Sequence, residues 1–220
     1  MHRFRFLWLA ALLCAGPALA QTAAVEATAS CGRLNCTEVS AGLGAIGVGN
    51  SVGGVRWGDM YIAPVLEGRL LLGSGFTVEG DSLITLPTQS GGPSTGMYLL
   101  ARAGYTGERF SITAGPALQL ATNASAVQLM PSIRGQYSFG GWGLTAGVMD
   151  LHGLAPFHLT VDIGDYGIGY VAPLGAQVHG RFRLNDNFGL RVQAMGFALG
   201  YTQVAMVTVA GTYGFPGGAR

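Results

Sequence analysis

The chain has 220 residues, of which 10% are charged, and a formal net charge of +1. Soluble domains usually carry about a quarter charged residues, and so neutral a chain offers no basic surface for nucleic acid. Every basic residue other than histidine is arginine, and no run of about 18 apolar residues follows position 20, so a transmembrane helix is not expected.

The N-terminus reads as an export signal over residues 1–20. Arg3 and Arg5 give a positive start, Leu7 to Leu13 give an apolar run too short to span a bilayer, and Ala18-Leu19-Ala20 gives the small-x-small cleavage pattern. Leu13 precedes Cys14, where a lipoprotein signal needs a small side chain. Cleavage after Ala20 leaves 200 of 220 residues, with ten arginines against eleven acids and a formal charge of −1. Residues 21–38 are expected to form a tail in which Cys31 and Cys36 close a small disulfide loop, because an exported chain meets an oxidising compartment. Two free thiols are the alternative. Without further ligands nearby, the pair is a poor metal site.

Gly42-Leu43-Gly44-Ala45-Ile46-Gly47 matches the G-x-G-x-x-G dinucleotide fingerprint. That fingerprint needs a helix whose N-terminus meets the pyrophosphate. Here Gly49, Gly53 and Gly54 follow and weaken any helix. The stretch reads as a tightly packed strand, and no cofactor is expected.

From about residue 54 the chain alternates with a period of two, the signature of strands. Phe110, Ile112, Ala114, Pro116, Leu118 and Leu120 share one face, opposite Ser111, Thr113, Gly115, Ala117, Gln119 and Ala121. The same pattern recurs over 127–139, 157–164 and 176–184, with turn residues between the runs. Eleven segments result: 39–48, 54–72, 76–86, 97–105, 109–121, 126–139, 142–152, 156–164, 175–184, 188–200 and 203–215. Such a series of hairpins must cover its two edges, and closure into a barrel removes them. The predicted fold is an all-β, antiparallel, up-and-down transmembrane β-barrel over residues 39–215 with a short tail at 216–220. Bacterial barrels of this kind have even strand numbers, so about ten strands are expected, with eight or twelve as alternatives.

The two faces suggest which side meets lipid. The polar face carries small residues and scattered arginine, which suits a narrow interior. Tyr105, Phe110, Tyr137, Phe139, Trp142, Phe157, Phe182, Phe188, Tyr213 and Phe215 all lie on the apolar parity at segment ends. Aromatic rings bordering both edges of an apolar band match the membrane–water interface.

In these features the chain resembles the small outer-membrane β-barrel proteins of Gram-negative bacteria. The stretch from Arg183 to Arg191, through Asn185-Asp186-Asn187, looks like their tight turns. The strand Val207-Thr208-Val209-Ala210-Gly211-Thr212-Tyr213-Gly214-Phe215 looks like their C-terminal assembly signal, although Pro216 to Arg220 follow it. The resemblance covers about residues 54–215. It implies export to the outer membrane, with its lipid and the barrel-assembly machinery as partners. It names no specific activity.

The inward parity carries the candidate lumen network: Glu67, Arg69, Arg102, Arg134, His158, Asp162, His179, Arg181, Arg183 and Arg191. On this reading arginine outnumbers acid inside, and ten strands leave a plugged interior or at most a narrow pore. Asp150, His152, His158, Asp162 and Asp165 are the chain's one concentration of acid–base groups. Four strand residues put His158 and Asp162 about 13 Å apart, too far for one metal ion, and Asp150 and His152 would share one only with distortion. His158-Leu159-Thr160 resembles the His-x-Ser of outer-membrane lipid A deacylases, with Thr in place of Ser. Asp162 would reach Thr160 before His158, the wrong order for an acid that orients a base. No catalytic residue is expected. The expected role is structural, adhesive or narrow-pore. A soluble barrel with its apolar face around a ligand is the alternative, and a membrane-embedded lipid hydrolase a further one.

Overall fold

A computed structural model describes residue 34 and residues 36–50, 56–89, 95–121 and 124–216. Twelve strands run in chain order: β1 (Cys36–Asn50), β2 (Arg56–Leu71), β3 (Phe76–Pro87), β4 (Gly96–Thr106), β5 (Phe110–Ala121), β6 (Ala124–Ser138), β7 (Trp142–Val148), β8 (Phe157–Ile163), β9 (Tyr166–Val171), β10 (Leu174–Arg183), β11 (Phe188–Leu199) and β12 (Thr202–Pro216). Each pairs antiparallel with its sequence neighbours, and β1 pairs with β12 from Cys36↔Pro216 to Asn50↔Thr202. The sheet is therefore a closed barrel without edges.

The count is twelve, one of the alternatives, and not ten. The strand absent from the sequence reading is β9. Its inward positions include Gly167 and Gly169, so the alternation carries no polar signal there. Both sit in tight places: a Cβ at Gly167 would press on the His179 ring and Asp162 Oδ1, and one at Gly169 on the Leu159 carbonyl and Thr160 Cα. Other boundaries shift as well, two of them with consequence. β1 takes in Cys36 to Glu38, expected in the tail. β7 stops at Val148, because Met149 and His152 adopt φ of 47° and 51° and turn the chain out of the strand. The signal segment and Cys31 lie outside the described residues. Cys36 is disulfide-bonded.

The barrel is inside-out relative to a soluble protein. Leu43, Leu66, Leu129 and Ile168 point outward and are 61%, 54%, 72% and 62% exposed. Glu79, Arg102, Asp150 and His158 are buried inside. An exterior this apolar around a charged interior is the pattern of a barrel in lipid. It is the reverse of what a soluble ligand-binding barrel needs, and that alternative falls.

The two ends differ. At the end where β1 begins and β12 finishes, the strands join through residues 72–75, 107–109, 139–141, 164–165 and 184–187. This terminal end carries most of the exposed aromatics: Phe76, Tyr105, Phe110, Tyr137, Phe139, Trp142, Tyr166, Phe182, Phe188 and Tyr213. Several touch in pairs, with Phe139 stacked on Trp142 at 4.3 Å and Phe188 tilted against Tyr213 at 4.7 Å between ring centres. Among the described residues the opposite end exposes Phe157, Tyr170 and Tyr201. The sequence placed aromatics at both rims. The structure gathers them chiefly at one, because antiparallel pairing brings the starts of odd strands beside the ends of even ones, and those are the segment ends that carry most of the rings. The side chain of Phe215 is not described.

Candidate functional site: the lumen and its plug

The interior has two halves. Toward the far end, Ile46, Ala63, Val65, Leu83, Tyr98, Leu100, Met195, Phe197 and Met206 pack into an apolar cluster with Leu151 and Ala155. Those last two belong to the β7–β8 connection, residues 149–156, which folds back into the barrel. Asp150, Leu151, His152 and Ala155 of this loop are 1%, 9%, 5% and 2% exposed. Tyr98 closes over it, donating from its hydroxyl to the Met149 carbonyl at 2.8 Å. Buried apolar side chains and the β7–β8 loop thus occupy the far half.

The terminal half is charged. Arg102 lies between two acids. Its Nε is 3.0 Å from Glu79 Oε2 and its Nη1 is 2.7 Å from Asp150 Oδ1. Arg134 takes the same Asp150 through Nε at 2.9 Å and Nη2 at 2.6 Å. Thr113 donates to Glu79 at 2.8 Å. Arg69 spreads over Gln136, Thr106 and Ser111 at 2.7, 2.8 and 3.0 Å. Arg181 pairs with Glu38 at 3.1 Å, and Arg191 with Glu67. A cavity of about 150 Å³ lies among these groups, lined by Glu38, Glu67, Arg69, Asp81, Arg181 and Arg191 among others.

Of the candidate lumen residues, Glu67, Arg69, Arg102, Arg134, His158, Asp162, His179, Arg181 and Arg191 are buried or half-buried. Arg183 is the exception: its side chain is 43% exposed at the rim, 3.7 Å from Asp165. The predicted charge balance is corrected. Glu38, Glu79, Asp81 and Asp150 also face inward, so the arginines are paired. Isolated buried charge would cost several kcal/mol per ion. Glu79 and Asp81 were legible in principle, sharing parity with Thr77. Gly80 and Ser82 on the opposite face blurred the alternation. The alternation puts Asp150 at a strand end, and only the fold turns it inward.

The histidines sort onto separate acids. His158 Nε2 is 3.6 Å from Asp150 Oδ2, and His179 Nε2 is 3.2 Å from Asp162 Oδ1. His152, buried on the plug, places Nδ1 3.1 Å from Asp81 Oδ2 and Nε2 3.8 Å from Glu67 Oε1. The Thr160 hydroxyl accepts a hydrogen bond from Gln177 Nε2. His158 therefore faces Asp150, and Thr160 faces Gln177. No hydrogen bond joins His158 to Thr160 among the described residues. The G-x-G-x-x-G stretch lies inside β1, where a Cβ on Gly42 would meet Ala210 Cα and Cβ at 2.6 Å. Its glycine permits close strand packing, and the next element among the described residues is the strand β2.

No protein-family model and no curated protein matches the sequence. Solved barrel structures do resemble the fold. A KdgM porin is 16% identical over 79% of this chain and 99% of its own, with a TM-score of 0.48. The Salmonella typhi outer-membrane phospholipase, a dimer with bound calcium, is 9% identical over 78% of this chain and 89% of its own, at 0.47. The Yersinia pestis attachment invasion locus protein Ail is 13% identical over 83% of this chain and 100% of its own, at 0.35.

Proposed function

We propose that this chain is an integral outer-membrane β-barrel with a closed lumen, serving as a structural or adhesive element of the envelope and not as an open pore. The observation that supports this reading is the inside-out barrel whose far half is filled by its own β7–β8 loop. Lipid is the medium that stabilises an apolar exterior of this extent. The plug residues Leu151 and Ala155 belong to the same buried apolar cluster as Phe197 and Met206. The partners on this reading are outer-membrane lipid and, during insertion, the barrel-assembly machinery. Catalysis is not part of it, since Thr160 and His158 have separate partners.

Fractionation and conductance test the proposal together. The native protein should stay in membranes washed with carbonate, need detergent for extraction, and migrate differently on gels before and after boiling. Reconstituted into planar bilayers, it should show no steady open-pore current. Release by carbonate would remove the membrane reading. A stable large conductance would remove the closed-lumen reading and favour a pore.

A further inference from the structure

We propose that Glu67, Asp81 and His152 form a binding site for one divalent transition-metal ion of the zinc class, which clasps the plug to the barrel wall. The residues come from three places: β2, β3 and the β7–β8 loop. Each offers one ligand atom, and these atoms lie within 4.8 Å of one another. One imidazole nitrogen with two carboxylates is a donor set that zinc accepts, and zinc–ligand bonds are about 2.0–2.2 Å. The three groups need to close by about an ångström to meet such an ion, with water from the cavity completing the shell.

Unused donors supply the second observation. The side chains of His152 and Asp81 are 5% and 8% exposed. His152 Nδ1 lies 3.1 Å from Asp81 Oδ2 as an ion pair, and neither that nitrogen nor Asp81 Oδ1 has a hydrogen-bond partner among the described residues. Buried polar atoms are nearly always satisfied, and exceptions mark an ion or a working site. Arg191 engages Glu67 through Oε2, which leaves Oε1 facing His152. Two carboxylates balance the charge of a divalent ion. The cavity of about 150 Å³ is lined by both Glu67 and Asp81, so an ion arriving from the terminal half reaches them. The backbone agrees: His152 is held at φ 51°, a conformation that a non-glycine residue keeps only when its surroundings fix it.

Untagged full-length protein, extracted in detergent and stripped with EDTA, should be titrated with Zn²⁺ against a chromophoric chelator. Uptake should saturate at one ion per chain. Asp81→Asn and His152→Ala should each weaken it at least about tenfold, the lower end of what losing even a supporting partner costs. Asp165→Asn, at the rim, should leave it unchanged. Heat-shifted gel migration reports whether each variant folds. X-ray absorption of zinc bound to the unaltered protein needs no variant, and should show one nitrogen and carboxylate oxygens. Absence of one-per-chain uptake, uptake indifferent to both substitutions in folded protein, or a spectrum without imidazole would overturn the site. His152 would then act only as an ion-pairing clasp. Failure here would leave the closed barrel standing, because that rests on the exterior and the apolar plug.

Discussion

Arg134 on β6 grips Asp150 of the β7–β8 loop through two nitrogens, Nε at 2.9 Å from Oδ2 and Nη2 at 2.6 Å from Oδ1. This fork-on-carboxylate contact joins the plug to the barrel wall. Arg102 reinforces it at 2.7 Å. Paired donors of this kind fix orientation as well as supplying energy.

Replacing Asp150 with Asn should therefore destabilise the barrel and loosen the plug. Two guanidiniums would lose a shared, fully buried partner. Breaking a buried pair from one side costs about 3–5 kcal/mol. Urea unfolding in detergent, followed by gel migration, measures the loss, and limited proteolysis should newly cut residues 149–156. Unchanged unfolding would mean that the contact holds nothing.

A charge-neutral change tests the same latch. Gly147 on β7 faces Asp150 and the His158 ring, and a Cβ there would press on Asp150 Oδ2, on the His158 ring and on Asp150 Cβ at 2.8 Å. Gly147→Ala should expose the plug to protease much as Asp150→Asn does. Gly135→Ala, where nothing lies within 4 Å of the added carbon, should be silent. Equal behaviour of the two alanine variants would refute the steric account.

Acid should release the latch late. Asp150 sits on the connecting loop. Burial alone would raise its pKa, but Arg134 and then Arg102 outweigh this and hold the carboxyl below its ordinary range. A depressed folded pKa contributes stability above the unfolded value, about 3.9, and loses it as the pH falls through the folded value. Protease resistance of residues 149–156 should therefore persist through about pH 4 and fade only in stronger acid. Loss of protection near pH 5 would contradict the pairing.

Lipid contact is testable on β1 and β11. Leu43, at the middle of β1, is 61% exposed. Leu43→Arg should cost about 2–4 kcal/mol if it meets the bilayer midplane. Gln193→Arg, turned inward toward Gln177, should cost less. Refolding titrations into vesicles compare them. A larger penalty at Gln193 would reverse the assignment of faces.

Much of this was legible in residue order alone. Alternation at period two determined that strands such as β5 and β6 exist, and it turned Ile112 outward and Thr113 inward before any coordinates. Side-chain direction in a strand is a local property, fixed by the backbone pleat. The aromatic parity, including Trp142 and Phe188, follows for the same reason. What lay outside the sequence was anything set by distance through space. β9 was hidden because its inward residues include two glycines, Gly167 against His179 and Asp162 and Gly169 against the Leu159 carbonyl and Thr160, a closeness set by neighbouring strands. The descent of Asp150 and His152 into the lumen depends on a loop turning back, and Arg102, Glu79 and Glu67 wait for it on strands distant in the chain. Parity states which face a residue takes. Only the closed barrel decides which charges on that face meet.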